Sequence, residues 1–280
     1  MFLINLNFSK KMLGNTKKSY PNGDVYEGQL LDDLKDGKGT LTKKKTLQFR
    51  TELKEAKNTE KPIIYCCDIN ATLEKYPNGK INGKEYFLYD CDIYEGFFVK
   101  DKIHGKGSMT WKTGCFYEGS FQNNFMHGEG KMDFNKEGTY EGNFVDGLQN
   151  GHGIYKYKNG DRYDGDWKNG IKEGTGTYYH ENGDIYKGEF KNDCKEGKGI
   201  CEYINRDKYD GDWKNNVKHG NGTYSYHNGD VYTGEWVNDK KEGYGIYKAT
   251  NGEVKDGIWK NNKIFKEKEA NIFNDTHSIN

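Results

Sequence analysis

The stretch Tyr163-Asp164-Gly165-Asp166-Trp167-Lys168-Asn169-Gly170, followed after Ile171 and Lys172 by Glu173-Gly174-Thr175-Gly176-Thr177-Tyr178, decides the fold. Tyr163, Gly165 and Trp167 fall at alternate positions with acids between them, so on an extended chain one face carries rings and the other carries charge. The period is two, which predicts a strand and not a helix. After Gly174 and Gly176 the alternation resumes and predicts a second strand. The same pattern returns every 23 residues, at Tyr94-Glu95-Gly96, Tyr117-Glu118-Gly119, Tyr140-Glu141-Gly142, Tyr186-Lys187-Gly188, Tyr209-Asp210-Gly211 and Tyr232-Thr233-Gly234. With Tyr as position 1, seven units run unbroken from Tyr94 to Val254, each with Gly at 3, 12 and 14 and Phe or Trp at 5. Lys255-Asp256-Gly257-Ile258-Trp259 begins an eighth that lacks its Tyr.

Two strands per unit predict an all-β fold, an elongated single-layer antiparallel ribbon or solenoid of tandem 23-residue β-hairpin repeats. At about 4.8 Å per strand each unit advances the ribbon by roughly 10 Å. Asn159-Gly160, Asn182-Gly183, Asn228-Gly229 and Asn251-Gly252 lie between units and read as two-residue type I′ turns. Asn205-Arg206 in the sixth unit and Gly138 in the third depart from that pattern, so their turns are expected to differ. Within a unit, Lys168 to Glu173 reads as a longer polar loop. Glycines at 3 and 14 leave room for rings to lie flat across the backbone. Equivalent rings, such as Trp213 and Trp236, are expected to stack from unit to unit.

Composition supports this reading and excludes others. Only 33% of residues are apolar, yet 15% are aromatic and 22 are Tyr, so rings and not aliphatic side chains must build the interior. The 37 Gly follow no three-residue period, which excludes collagen. Lys plus Arg and Asp plus Glu both number 43, so no global basic field for nucleic acid exists. The six cysteines form no CxxC pair, have no His at zinc-ligand spacing, and suggest a reducing interior. Gly105-Lys106-Gly107-Ser108 fails the phosphate-loop pattern. His104, His127 and His219 share position 11 and read as turn residues, not metal ligands. No catalytic, cofactor-binding or metal site is expected.

The Tyr163 to Tyr178 pattern resembles the MORN (membrane occupation and recognition nexus) repeat, strongly over residues 94–259. Residues 26–41 resemble a further unit, with Tyr26, Gly28, Gly37 and Gly39 in place, and Tyr76-Pro77-Asn78-Gly79 with Asn82-Gly83 a degenerate one. The expected layout is a tail at 1–25, divergent repeats at 26–93, the regular array at 94–259 and a tail or capping helix at 260–280. Within the divergent part, residues 43–61 hold seven basic and three acidic residues, 7 − 3 = +4. In the last segment Ile264, Phe265, Ile272 and Phe273 are expected to cover the open sheet end near Trp236 and Trp259.

The resemblance implies a non-enzymatic, cytoplasmic scaffold, associated with cytoskeletal or ciliary assemblies of the radial-spoke kind. Enzymes of the family carry a kinase or SET domain beside the repeats, and the 21 residues after Trp259 are too few for one. The expected partner is a protein, as an amphipathic helix or extended peptide laid on an aromatic groove formed by Tyr163, Trp167, Tyr186, Phe190, Tyr209, Trp213, Tyr232 and Trp236. Two alternatives stand beside it. One is a peripheral membrane protein binding phosphoinositides or other acidic lipid through the basic segments, including Lys10, Lys11, Lys17 and Lys18. The other is a docking module for a separate enzyme. Oligomeric state is left open by the sequence.

Overall fold

A computed structural model describes residues 12–43 and 91–268. These residues divide into two units, one ending at Lys172 and one beginning at Glu173, and they contain strands and no helix. In the first unit β1 (Met12–Ser19), β2 (Val25–Leu31), β3 (Leu34–Thr42), β4 (Cys91–Val99), β5 (Lys102–Trp111), β6 (Phe116–Gln122), β7 (Phe125–Asp133), β8 (Gly138–Val145), β9 (Leu148–Tyr157) and β10 (Arg162–Lys168) each pair antiparallel with the next. β11 (Ile171–Tyr179) begins at the division. The second unit continues with β12 (Ile185–Lys191), β13 (Cys194–Glu202), β14 (Lys208–Lys214), β15 (Val217–Ser225), β16 (Val231–Val237), β17 (Lys240–Lys248), β18 (Val254–Lys260) and β19 (Lys263–Glu267), paired in the same way from β11 onward.

Register follows the glycines. Gly28 lies opposite Gly39, Gly39 opposite Gly96, and the row continues to Gly165; in the second unit a like row runs from Gly176 to Gly257. The position-1 ring lies across this row. Tyr26, Tyr94, Tyr117, Tyr140, Tyr163, Tyr186, Tyr209 and Tyr232 are all fully buried. Each hydroxyl donates to the backbone carbonyl three residues on, as Tyr186 does to Glu189 at 2.9 Å and Tyr209 to Asp212 at 2.9 Å. A Cβ added at Gly199 would stand 2.4 Å from the Tyr186 hydroxyl oxygen. Glycine is therefore required by the ring, as the alternation implied.

The turns are the reverse of the sequence expectation. At Asn159-Gly160 and Asn182-Gly183 only the glycine has positive φ, 95° in both, while the preceding Asn does not; the third unit's connection differs, as expected, with Asn135 at φ 57° and Gly138 at φ 147°. Gly160 donates to the Tyr157 carbonyl and Tyr157 to the Asp161 carbonyl, which is a type I turn closed by a glycine bulge. Asn159 acts through its side chain, accepting from the Asp161 N–H at 3.0 Å. The Tyr203-to-Asp207 connection has the same bonds, with Arg206 at φ 70° replacing glycine. The two-residue type I′ turns lie inside the units: Asn169-Gly170, Asn192-Asp193, Asn215-Asn216 and Asn238-Asp239 have positive φ at both residues. The predicted long loop at Lys168 to Glu173 is such a turn.

A bulge then joins one repeat to the next. Opposite Trp213 stands Lys218, yet opposite Gly211 stands Gly222, so β15 carries two extra residues, and Gly220 takes φ 61° to make the bend. The following turn docks there: Asn216 accepts from the Lys195 N–H at 2.8 Å, Asp239 from the Lys218 N–H at 3.0 Å. His104, His127 and His219 belong to strands β5, β7 and β15 at these bulges, and not to turns.

Other expectations are corrected. Residues 12–19 of the expected N-terminal tail form β1. Residues 263–267 form a strand and not a capping helix; Ile264 pairs with Trp259, while Phe265 is 74% exposed. Among the described residues β19 has β18 as its one partner strand; its irregular register and Lys263 and Lys266 are features that discourage further pairing. Ile272 and Phe273 lie outside the described residues. So do residues 44–61 and the unit proposed at Tyr76–Gly83. Tyr94 follows Tyr26 by 68 residues, 23 + 45, yet β3 pairs directly with β4 in the ordinary register. No strand therefore lies between β3 and β4. Cys115 is buried and disulfide-bonded, contrary to the reading of reduced cysteines, whereas Cys194 and Cys201 are free.

Overpacking a filled interior costs about 1–3 kcal/mol, so Gly199→Val is expected to lower the denaturation midpoint and speed amide exchange in β12, β13 and β14. Wild-type stability and exchange in that variant contradict the ring-on-glycine packing.

Candidate functional site

The eight rings expected to form a groove are interior. Tyr163, Tyr186, Tyr209 and Tyr232 are fully buried, and Trp167, Phe190, Trp213 and Trp236 are at most 6% exposed. This corrects the exposed aromatic floor, for the rings bind one another. Tyr163 meets Trp167 edge-on in the first unit, centroids 5.2 Å apart. In the second, Tyr186 meets Phe190 and Trp213, Tyr209 meets Trp213 and Trp236, and Tyr232 meets Trp236 and Trp259, all T-shaped at 5.1–5.4 Å. Trp213 and Trp236 are thus linked through Tyr209 and do not stack. Each such contact is worth about 0.5–1.5 kcal/mol beyond burial. The indole N–H adds a bond to the neighbouring repeat: Trp213 donates to the Gly199 carbonyl at 2.9 Å and Trp236 to Gly222 at 3.1 Å.

Rings on a one-layer sheet need a cover, and position 10 supplies part of it. Lys195 Nζ lies 4.8 Å from the Tyr186 ring and 5.3 Å from Trp213. Lys218 lies over Tyr209 and Trp236 at 5.7 and 5.2 Å, and Lys241 over Tyr232 and Trp259 at 4.7 and 5.0 Å. The stem packs on the rings and the ammonium faces their π-clouds. Burial lowers the pKa of Lys218 and, with Lys255 nearby, that of Lys241 to about 8. Burial also pushes every position-1 phenol for which a shift is resolved upward, Tyr26 to about 12, so these hydroxyls are permanent donors and not acid–base groups.

The opposite face carries a groove that the sequence reading passed over. In the first unit it measures about 1710 Å³, with the glycine row as floor. Glu27, Glu95, Glu118 and Glu141, all at position 2, line it, with Lys131 lying across the strands from both Glu118 and Glu141; Lys38, Lys106 and Glu129, all at position 13, line it too. Phe97, 47% exposed, and Ile154 are the large apolar side chains of its lining. Glu27 is ion-paired to Lys17, whereas Glu95, Glu118, Glu129 and Glu141 are exposed and have no hydrogen bond or ion pair among the described residues. A smaller groove of about 400 Å³, around Gly211, Gly222 and Gly234, marks the same face of the second unit. The available signal was the repeated Glu at position 2, read only as a soluble strand surface.

Aspartates at position 22 latch the repeats together. Asp207 accepts from the Tyr224 hydroxyl at 2.7 Å and from the His227 N–H at 2.8 Å, and lies 3.1 Å from His227 Nδ1. Burial opposes its charge, but these bonds and one from Asn205 outweigh it and lower its pKa. Asp230 accepts from Tyr247, Thr250 and Asn228, and the Tyr247 bond foremost draws its pKa down to about 2. No set of three His, Cys, Asp or Glu among the described residues is arranged to hold a metal ion.

The MORN repeat family model matches residues 26–45, 94–116, 117–139, 140–162, 163–185, 186–208, 209–231 and 232–254. No curated protein sequence matches the chain. Similar solved structures include the TCP domain of Drosophila melanogaster SAS-4 in complex with a proline-rich motif of Ana2, 14% identical, covering 53% of this chain and 81% of that one with a TM-score of 0.35. The TCP10 domain of Danio rerio CPAP with a STIL peptide is 9% identical over 92% of this chain and 100% of that one, TM-score 0.29. Virginiamycin B lyase from Staphylococcus aureus is 10% identical over 89% and 85%, TM-score 0.15.

Because the pKa of Asp230 is depressed in the folded state, its contribution is present above the unfolded value of 3.8 and is lost as pH falls through about 2. Asp230→Asn is therefore expected to lower the melting temperature at neutral pH, with the gap to wild type closing between about pH 4 and pH 2. A gap independent of pH in thermal scans contradicts the charged latch.

Proposed function

The chain belongs to the MORN repeat family, and on that premise we propose that it is a non-enzymatic scaffold holding an extended or helical segment of a protein partner against the polar groove of its first unit. The observation that carries this reading is the division of labour between the faces. One face spends its rings on the repeat itself; the other offers a groove with a side-chain-free floor and four exposed carboxylates without partners, Glu95, Glu118, Glu129 and Glu141. A bare backbone floor admits close approach, and flanking charges give orientation and specificity. The partner expected from the sequence is retained, while its seat moves to the opposite face.

Acidic lipid is the weaker occupant. Lys17 and Lys18, the described members of the N-terminal basic cluster, are ion-paired to Glu27 and Asp33. The cytoplasmic, cytoskeletal or ciliary setting belongs to this proposal too. The Cys115 disulfide weighs against a reducing compartment, so the redox state of Cys115 in cells and the position of a tagged chain relative to cytoskeletal and ciliary markers are its tests.

A photo-crosslinking residue placed at Glu118 or Glu141 is expected to capture the partner, and the same probe at Lys112, outside the groove, is not. Reversing Glu95, Glu118 and Glu141 to Lys together should weaken binding at least about tenfold while the fold is kept. Capture from Lys112 alone, or undiminished binding by the folded triple variant, overturns the groove as the seat.

A further inference from the structure

The position-10 lysines are unequally compensated. Lys218 has Asp239 of the following turn 3.8 Å from its Nζ, and Lys35 in the first unit has Asp101 at 3.1 Å. In both cases the carboxylate comes from position 8 of the next repeat. Lys195 meets Asn216 there, but its Nζ lies 3.3 Å from His180 Nε2. Lys241 also meets an asparagine, Asn262, whose Oδ1 accepts the Lys241 backbone N–H at 2.8 Å and brings no charge. Lys241 is 9% exposed. Its ammonium faces the rings of Tyr226, Tyr232, Tyr247 and Trp259 at 4.7–5.3 Å, and among the described residues it has no hydrogen bond or ion pair.

The acids of the neighbouring strands are engaged elsewhere. Asp230 is held by Tyr247, Thr250 and Asn228, Glu235 by the Tyr244 N–H, Glu242 by the Asn261 N–H, Glu253 by Lys255, and Asp256 by Lys268. The nearest added charge is of the wrong sign. Lys255 stands where the preceding units have Tyr, opposite Tyr247, and its repulsion adds to the burial of Lys241. Ring faces offset part of the cost of a buried ammonium, and a counter-charge is the remaining remedy.

We propose that Lys241 forms a binding site for a small oxyanion, a phosphate or carboxylate group, which supplies the counter-charge that Asp239 supplies to Lys218. Recognition is by the one desolvated ammonium of Lys241 against an aromatic wall, so charge selects the ligand. The site is independent of the first-unit groove and of any partner there.

The test is NMR of the full chain with ¹³C-labelled lysine, titrated separately with inorganic phosphate and acetate at constant ionic strength. In wild type one anion or both should shift the Lys241 Cε signal saturably and raise its titration midpoint; which anion acts names the group. Asn262→Asp reproduces the turn residue found at Asp33, Asp101, Asp193 and Asp239, so the fold accepts it. This variant should raise the Lys241 midpoint without added anion and weaken anion binding at least about tenfold. Lys241→Arg assigns the signal. No saturable shift in wild type, or an Asn262→Asp response equal to that of wild type, overturns the site.

Discussion

A tyrosine ring lying flat on a pair of glycines, with its hydroxyl bonded to a backbone carbonyl of the same strand, is the contact on which the other features of each repeat depend. The ring needs both glycines, because a Cβ at either would enter the space of the phenol. It also needs its own neighbours, because a sheet of one layer has no second layer to cover it. The Phe or Trp at position 5 meets that need from both sides, as Trp213 does by touching Tyr209 and Tyr186. No single hairpin of this kind is complete, which is the physical reason such units occur in series.

Polar groups at the seams follow the same logic. The bulge that carries the position-12 glycine turns backbone groups outward, and the next repeat's turn occupies them through an Asn or Asp side chain. Aspartates at position 22 fasten the other end. Each seam therefore joins aromatic, backbone and charge-assisted contacts in a fixed order. A substitution at one seam position is felt by two repeats, and where the pattern lapses, as with Lys255 in place of Tyr, the local balance of charge changes.

This arrangement assigns the two faces different work. Rings that make the repeat are withdrawn from partners, since a ring at the bottom of its own packing has little surface to offer. On the opposite face the position-4 side chains Glu189, Asp212 and Glu235 hold backbone N–H groups of the bulges, whereas Glu95, Glu118 and Glu141 at position 2 make no such bond among the described residues. Under the proposed function, partner specificity resides in positions that the repeat does not need.

The 23-residue period, the two strands in each unit, their antiparallel order and the identity of the core residues were all legible in the sequence, because alternation of Tyr, Gly and Trp reports which face is apolar without reference to any other part of the chain. What alternation does not report is whether an apolar face is open or closed. That depends on ring orientation and on the Lys column that covers the rings, so the supposed aromatic groove proved to be interior. Turn type was misjudged for a related reason. Asn-Gly suits a type I′ turn in isolation, but the Asn side chain bonds two residues ahead at Asn159 and Asn182, leaving only the glycine left-handed. The direct pairing of β3 with β4 across 45 inserted residues, and the strand in place of a terminal helix, were likewise decided by tertiary structure. The first rests on hydrogen bonds between segments whose separation along the chain no local pattern encodes; the second is a hairpin closed by the two-residue turn Asn261-Asn262, like those inside the earlier units.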